Sequence, residues 1–312
     1  MATTFPALPI VDLSPLKSSH ELGAEQQKDL ASQLYNVFAT TGFAYLVNHP
    51  LSFDHQVLFD ISRDFFALPT EEKMKYFPMQ PDLASDNLKE GFEIGPQKSI
   101  PQTPASNSIS NATHLPKINL SEPNVWPAPA VFPSRAKLEL LHNELQALAS
   151  TLLSLLAISL GSDADADVHP DPLKLSCTPH TDSGILTLLH QDATGGLEVQ
   201  NADGKWVAAP YVPKSIVVNI VDLMAKVSCG RFVATMHRVR APPATAPTSI
   251  SASSANAAAA MQQSGRFSMP FFFEPGEKCL IKSVDDELGV DAVVYGEHVR
   301  AKMKTWVEFQ DL

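Results

Sequence analysis

Hydrophobic positions along this chain change their period near its middle. In the first half they recur at steps of three and four. Leu30, Leu34, Val37 and Phe38 share one face of a helix predicted from about Ala24 to Thr41, with Gly42 as its stop. A second helix is expected from Phe53 to Phe66, with Val57, Ile61 and Phe65 facing inward and Pro69 beyond its end. The third helix is the clearest. Leu138, Leu141, Leu145, Leu148, Leu152 and Leu155 form a core-facing stripe, Ser134 stands at the cap and Gly161 at the end. Short β-rich runs at Pro9 to Leu13 and Phe43 to Val47 precede and separate the first two helices. After Gly161 the pattern becomes β. Strands are expected at Ile185 to Leu189, Leu197 to Gln200, Trp206 to Ala209, Ser215 to Val221, Phe232 to Val239 and Arg266 to Phe273. Turn signals at Gly195-Gly196, Asp203-Gly204, Pro213-Lys214 and Cys229-Gly230 separate them. Many short strands at near-regular spacing predict a sandwich or a barrel, mainly β with flanking helices.

Two stretches lack periodicity. Residues 77–133 are rich in Pro, Ser and Asn and read as a long irregular region of the kind that forms lids and binding loops, most mobile at Ile100 to Pro116. Ala241 to Gln263, rich in Ala, Ser, Pro and Thr, reads as a disordered insertion between two strands. The expected organisation is an N-terminal α/β segment with its lid-like region over 1–133, then a helix and the β core over 134–312, in one compact unit.

Composition narrows the function. The 312 residues, 44% hydrophobic, suffice for a sizeable core. A net charge of -11 disfavours nucleic acid and anionic membrane surfaces as partners. The longest apolar stretch, Leu152 to Leu160, carries serines and is too short to span a bilayer. Met1 to Leu13 holds no basic stretch followed by an apolar run. Cys177, Cys229 and Cys279 are odd in number and scattered, which suits three ordinary, partly buried thiols in a reducing cytosol. The expected protein is cytoplasmic.

Candidate chemistry begins at His180-Thr181-Asp182. In an extended chain residues two apart point to the same side, so an imidazole and a carboxylate can converge on one metal. Alone, the spacing also fits a hydrogen-bonded surface pair. His237, late in a separate predicted strand, adds a second imidazole. Two histidines and one carboxylate make the facial triad of non-haem Fe(II) oxygenases, which leaves the remaining coordination positions open for O2 and a chelating cosubstrate. Arg266-Phe267-Ser268 repeats the same-side spacing. A guanidinium fork with a hydroxyl beside it is suited to gripping a carboxylate. The other histidines, among them His20, His49, His55, His114, His142, His169, His190 and His298, show no ligand pattern, and His49 reads as structural.

These residues lie in a text that resembles the 2-oxoglutarate and Fe(II)-dependent dioxygenases, in the branch that includes isopenicillin N synthase, gibberellin oxidases and flavonoid oxygenases. It runs from His180-Thr181-Asp182-Ser183-Gly184 through Leu186 to Leu189, Gly195-Gly196-Leu197-Glu198-Val199, Gly204-Lys205-Trp206, Val218-Asn219-Ile220 and His237-Arg238-Val239 to Arg266-Phe267-Ser268-Met269-Pro270. Pro9 to Leu13, Gly42 to His49 and Phe65 to Lys73 resemble the same branch. Glu90 to Gly95 and Asn124 to Pro127 resemble its fungal members. The resemblance implies a double-stranded β-helix (jelly-roll) core, with Fe(II) on His180, Asp182 and His237. It implies that Arg266 and Ser268 hold the distal carboxylate of the cosubstrate 2-oxoglutarate, and that O2 is consumed. Phe272 lies where some members direct an aromatic at the substrate, although plain core packing also explains it. The implied activity is hydroxylation or desaturation of a small organic molecule, as in secondary metabolism.

Three departures stand out. Between Leu175 and His180 only four residues remain where relatives carry a further strand that lines the cosubstrate pocket. The insertion before Arg266 is long. Val221 replaces the glycine that relatives place before Asp222, which predicts a slightly altered turn. The departures keep two alternatives open: an oxidase of the isopenicillin N synthase kind that uses no 2-oxoglutarate, and a metal-binding protein inactivated by the missing strand.

Overall fold

Two antiparallel-rich sheets face each other, and helices cover the outside of the larger one. The computed structural model describes residues 3–17, 22–76, 90–95, 123–161, 180–182, 184–240, 265–286 and 290–303. Most of the lid-like region, the passage 162–179 with Cys177 and the site of the missing strand, the insertion 241–263, and His20, His114 and His169 lie outside the described residues.

The larger sheet contains β1 (Ile10–Asp12), β2 (Phe43–Val47), β3 (Leu186–Gln191), β6 (Ile216–Ile220) and β8 (Ser268–Phe273), in the order β1-β2-β6-β3-β8. Only the β1–β2 pairing is parallel. Strands from the first fifty residues thus share one sheet with strands of the C-terminal half. The smaller sheet is β5-β4-β7, from Leu197–Gln200 (β4), Trp206–Ala208 (β5) and His237–Val239 (β7). Leu280–Ile281 (β9) and Val293–Val294 (β10) form a separate ribbon.

Alternation along the strands splits the larger sheet into two faces. Leu186, Leu188, Val218, Ile220, Ala44, Leu46, Phe271 and Phe273 point outward into one core with the helices. Leu30, Leu34 and Phe38 of α1 (Ala24–Thr40) and the leucine stripe of α4 (Arg135–Ser159) meet them there. Each such leucine removed from water contributes about 1.5–3 kcal/mol. The inner face carries Phe43, Tyr45 and Val217, which pack with Leu197 and Val199 of the smaller sheet. The main connecting helices are α2 (His55–Phe66), α3 (Thr70–Lys73), α5 (Asp222–Val227) and α6 (Tyr295–Met303).

The structure corrects several expectations. Val57 of α2 is 37% exposed; the buried stripe is Leu58, Ile61, Ser62 and Phe65, one step around the helix. Ser134 sits at the N-cap of α4, but its side chain caps nothing. The strand expected from Phe232 shortens to His237–Val239. Upstream of it, the Val233 amide donates to the Phe38 carbonyl and the Thr235 hydroxyl donates to that of Thr41, so this stretch packs on the α1–β2 turn instead of joining a ladder. Of the described thiols Cys279 is partly buried, but Cys229 is exposed. Val221 takes extended backbone at φ -113°, which a branched residue adopts without strain.

Candidate metal centre

His180 and His237 face each other across a single antiparallel bridge, each amide donating to the other's carbonyl at 3.1 Å. Directly opposed residues project their side chains to the same side. The two rings accordingly stand 4.3 Å apart between centres, tilted by 52°. Asp182 follows two residues later, and its carboxylate returns to that side. Oδ1 lies 3.4 Å from His180 Nε2 and 3.8 Å from His237 Nε2. One donor atom from each residue falls within 4.8 Å of the others. The structure thus brings together the three residues the sequence singled out, at the edge of the smaller sheet.

The larger sheet orients the carboxylate. Thr187 on β3 and Asn219 on β6 are register partners. The Thr187 hydroxyl donates to Asp182 Oδ2 at 2.6 Å and the Asn219 amide donates to the same oxygen at 2.9 Å. Oδ2 is therefore committed to the scaffold, while Oδ1 faces the imidazoles. Burial by itself would raise the Asp182 pKa, but the hydrogen bond with His180, the two neighbouring imidazoles and Asn219 hold it below the usual carboxylate range. Burial pushes the His237 imidazole down from its ordinary value, against the pull of Asp182. A neutral imidazole and an ionised carboxylate are the forms a metal requires. His237 Nδ1 lies 3.4 Å from the Thr235 carbonyl, so a proton donated there leaves Nε2 for a metal. The Phe43 ring meets His237 edge-on at 5.3 Å and fills the space behind it. This donor set fits Fe(II): nitrogen and oxygen ligands converge from one side, and no sulfur belongs to the group.

Replacing Thr187 with valine keeps the shape but removes one bond to Oδ2. The expected result is a drop in Mn(II) affinity of roughly 10–100-fold, the usual effect of losing a partner behind a ligand. Titration calorimetry checks it, and unchanged affinity would show that Thr187 does not orient Asp182.

Arg266 and Ser268 also come together. Arg266 Nη1 donates to Ser268 Oγ at 3.0 Å, and Nε donates to the Gly195 carbonyl at 2.6 Å. Arg266 lies just before β8, which begins at Ser268, and not within a strand as expected. The Gly195-Gly196 turn that supports it requires glycine. Gly196 has φ +90°, and a Cβ there would lie 2.6 Å from the Arg240 carbonyl. Ser268 pairs with Gln191, and Phe272 pairs with Thr187, on the inner face of the sheet. Phe271 and Phe273 enter the helix-side core, so Phe272 alone of that run shares a face with the residues behind Asp182.

Sequence reasoning missed the residues around the ligands. Thr187 and Asn219 were legible only as strand residues, and Lys302 carried no signal. Their common target, the Asp182 segment, is distant in sequence from Asn219 and Lys302.

With this geometry in place, the chain can be set beside known proteins. Residues 162–275 match the 2OG-Fe(II) oxygenase superfamily, and residues 8–129 match the family described as the N-terminal part of a non-haem dioxygenase in morphine synthesis. A 2-oxoglutarate-dependent dioxygenase of Didymella fabae is 30% identical, over 74% of this chain and 80% of the relative. Clavatol oxidase of Penicillium crustosum is 27% identical over 95% of each chain. A full-length Neurospora crassa protein, solved in complex with alpha-KG and 5-formyluracil, superposes with a TM-score of 0.73 at 23% identity, covering 96% of each chain. The fold shared with such structures is the jelly roll with flanking helices. The chain belongs to the 2OG-Fe(II) oxygenase superfamily and is a non-haem dioxygenase of the class that uses Fe(II), 2-oxoglutarate and O2.

Proposed function

We propose that this protein oxidises a small organic molecule of secondary metabolism, by hydroxylation or desaturation, with 2-oxoglutarate as cosubstrate. In this reading His180, Asp182 and His237 hold Fe(II), while Arg266 and Ser268 receive the distal carboxylate of 2-oxoglutarate. The observation that carries it is the division of labour at Asp182: one oxygen tied to Thr187 and Asn219, the other within 3.8 Å of both imidazole Nε2 atoms. Bound iron supplies the oxidising chemistry, coupled to decarboxylation of 2-oxoglutarate to succinate and CO2. The protein's own part is to keep Asp182 ionised, to keep His237 neutral, and to present the Arg266 fork just ahead of β8.

Two aromatic rings line the inner face near the triad, Phe43 touching His237 and Phe272 beside Thr187. This suits a compact, largely apolar substrate, with Phe272 as a wall of its pocket. A fungal relative named clavatol oxidase and a plant relative named scopoletin 8-hydroxylase support a small-molecule substrate. Scattered free cysteines support a cytoplasmic location.

Anaerobic addition of Fe(II) and 2-oxoglutarate is expected to produce a visible charge-transfer band. With Arg266→Leu the band requires roughly 10–100-fold more 2-oxoglutarate, because a charge-assisted hydrogen bond contributes about 1.5–3 kcal/mol. A chain that binds iron but gives no band, and consumes O2 without 2-oxoglutarate, would replace this reading with the oxidase alternative.

A further inference from the structure

The Asp182 carboxylate is well supported, but its main chain is not part of a regular ladder. Among the described residues, the His180–Asp182 segment touches the smaller sheet through one bridge, at His180. Its second support comes from far along the chain. Lys302, in the last turn of α6, extends its Nζ to the carbonyl of Thr181 at 2.7 Å and the carbonyl of Asp182 at 2.6 Å. The same ammonium donates to Asp222 Oδ2 at 2.5 Å. Asp222 opens α5 directly after β6, the strand that carries Asn219.

We propose that Lys302 is a positioning residue for the metal centre, clamping the Thr181 and Asp182 carbonyls so that metal loading and docking of the C-terminal helix are linked. The inference rests on the triad reading above. Its chemistry is specific. An ammonium group has three donors and no acceptor, and its short contacts here are two carbonyls and one carboxylate, with the Thr181 hydroxyl further off at 3.4 Å. Both carbonyls belong to the two residues that decide where the Asp182 side chain leaves the backbone. The charge is compensated by Asp222, and the Lys302 side chain is only 19% exposed, so the clamp sits in a region of reduced screening. Tyr295, Val299 and Met303 anchor the same helix in the main core and fix where Lys302 begins.

Asp182 is thus held from two directions. β3 and β6 fix the far oxygen of its side chain, and α6 fixes its backbone. A metal held by His180, Asp182 and His237 would meet an Asp182 backbone that Lys302 keeps in place. By linkage, whatever stabilises the clamped segment also stabilises the helix that clamps it.

The test reads metal affinity and helix protection, not turnover. Mn(II) binding to wild type, Lys302→Met and Lys302→Arg is measured by calorimetry, alongside each thermal midpoint. Lys302→Met is expected to bind Mn(II) roughly 10–100-fold more weakly, the range for losing a group behind a ligand. Lys302→Arg keeps a cation and donors and is expected to recover most of the affinity. In wild type, Mn(II) is expected to slow amide exchange at 299–303. That measurement decides the question by itself if Lys302→Met does not fold. A Lys302→Met protein with a lowered midpoint but wild-type Mn(II) affinity would reduce Lys302 to a structural role. Wild-type α6 amides indifferent to saturating Mn(II) would overturn the linkage. Wild type that binds no Mn(II) at all would overturn the triad reading first, and this proposal with it.

Discussion

Replacing Asp182 with alanine is expected to abolish specific Fe(II) and Mn(II) binding and to reduce 2-oxoglutarate consumption to background. The carboxylate is the only anion among the three candidate ligands, so its loss leaves two neutral imidazoles to hold a dication. It also strands the Thr187 hydroxyl and the Asn219 amide, which both donate to Oδ2 in a buried setting. A buried polar group left without its partner costs about 1–3 kcal/mol. Two readouts separate the effects. In wild type, Mn(II) at about a hundred times its Kd raises stability by about 2.7 kcal/mol through linkage. The variant should show no such increase at any Mn(II) concentration, whatever its own midpoint. An Asp182→Ala protein whose midpoint still climbs with Mn(II) would show that the metal binds elsewhere.

Acid is expected to unfold this protein early, and the cause lies outside the metal centre. His49 follows β2, His55 opens α2 and His190 lies on β3, yet their rings gather on the helix side of the larger sheet. Centre-to-centre distances are 5.1 Å for His55–His190, 6.3 Å for His49–His190 and 6.4 Å for His49–His55. All three are buried, and the ring nitrogens of His49 and His190 meet no hydrogen-bond partner among the described residues. Burial pushes His49 down to about 4 and His190 down to about 3, and it lowers His55 as well. Mutual repulsion adds to this at His49 and His190, and Lys17 adds to it at His49, whereas Asp54 works the other way at His55. The sign follows from proton counting. Between about pH 6.5 and pH 4 the unfolded chain binds protons that the folded one refuses, so stability is full above about 6.5 and falls as pH drops. At about pH 4 the loss is on the order of 5 kcal/mol, from about 1.4 kcal/mol per pKa unit, which rivals the net stability of a typical domain. Substituting His190→Leu, similar in size and without a proton site, should move the acid midpoint of the circular dichroism transition to lower pH. Identical acid midpoints for the variant and wild type would remove this cluster as the cause.

The histidine trio also marks where sequence reasoning stops. Each of the three looked bland in its own segment. They meet because β2 and β3 both pair with β6 while α2 folds back over the sheet, and no local pattern records that.

Other features were legible from the start. The leucine stripe of α4 appears where the spacing put it, because a 3.6-residue period has one way to bury a continuous apolar face. Most of the strands appear within a residue or two of the β-rich runs, and Gly42 and Gly161 both take positive φ at helix ends. The candidate ligands were legible for a reason equally local: extended backbone repeats every two residues, so His180-x-Asp182 carries its own geometry. Where several neighbours compete for the same segment, the local pattern failed. Phe232 has the composition of a strand residue, but its ring packs against Tyr35 and Phe38 and draws the following residues toward α1.

By itself, then, the sequence determined the periods, the turns, the order of motifs and the shared side of His180 and Asp182, since each depends on neighbours a few residues apart. Only the tertiary structure decided what surrounds them. The His180–His237 bridge, the Thr187 and Asn219 bonds to one oxygen of Asp182, the Lys302 clamp from the last described helix and the buried histidine trio all join residues from different elements. Such contacts are set by which strands pair and which faces pack, a property of the whole chain that no single stretch of it contains.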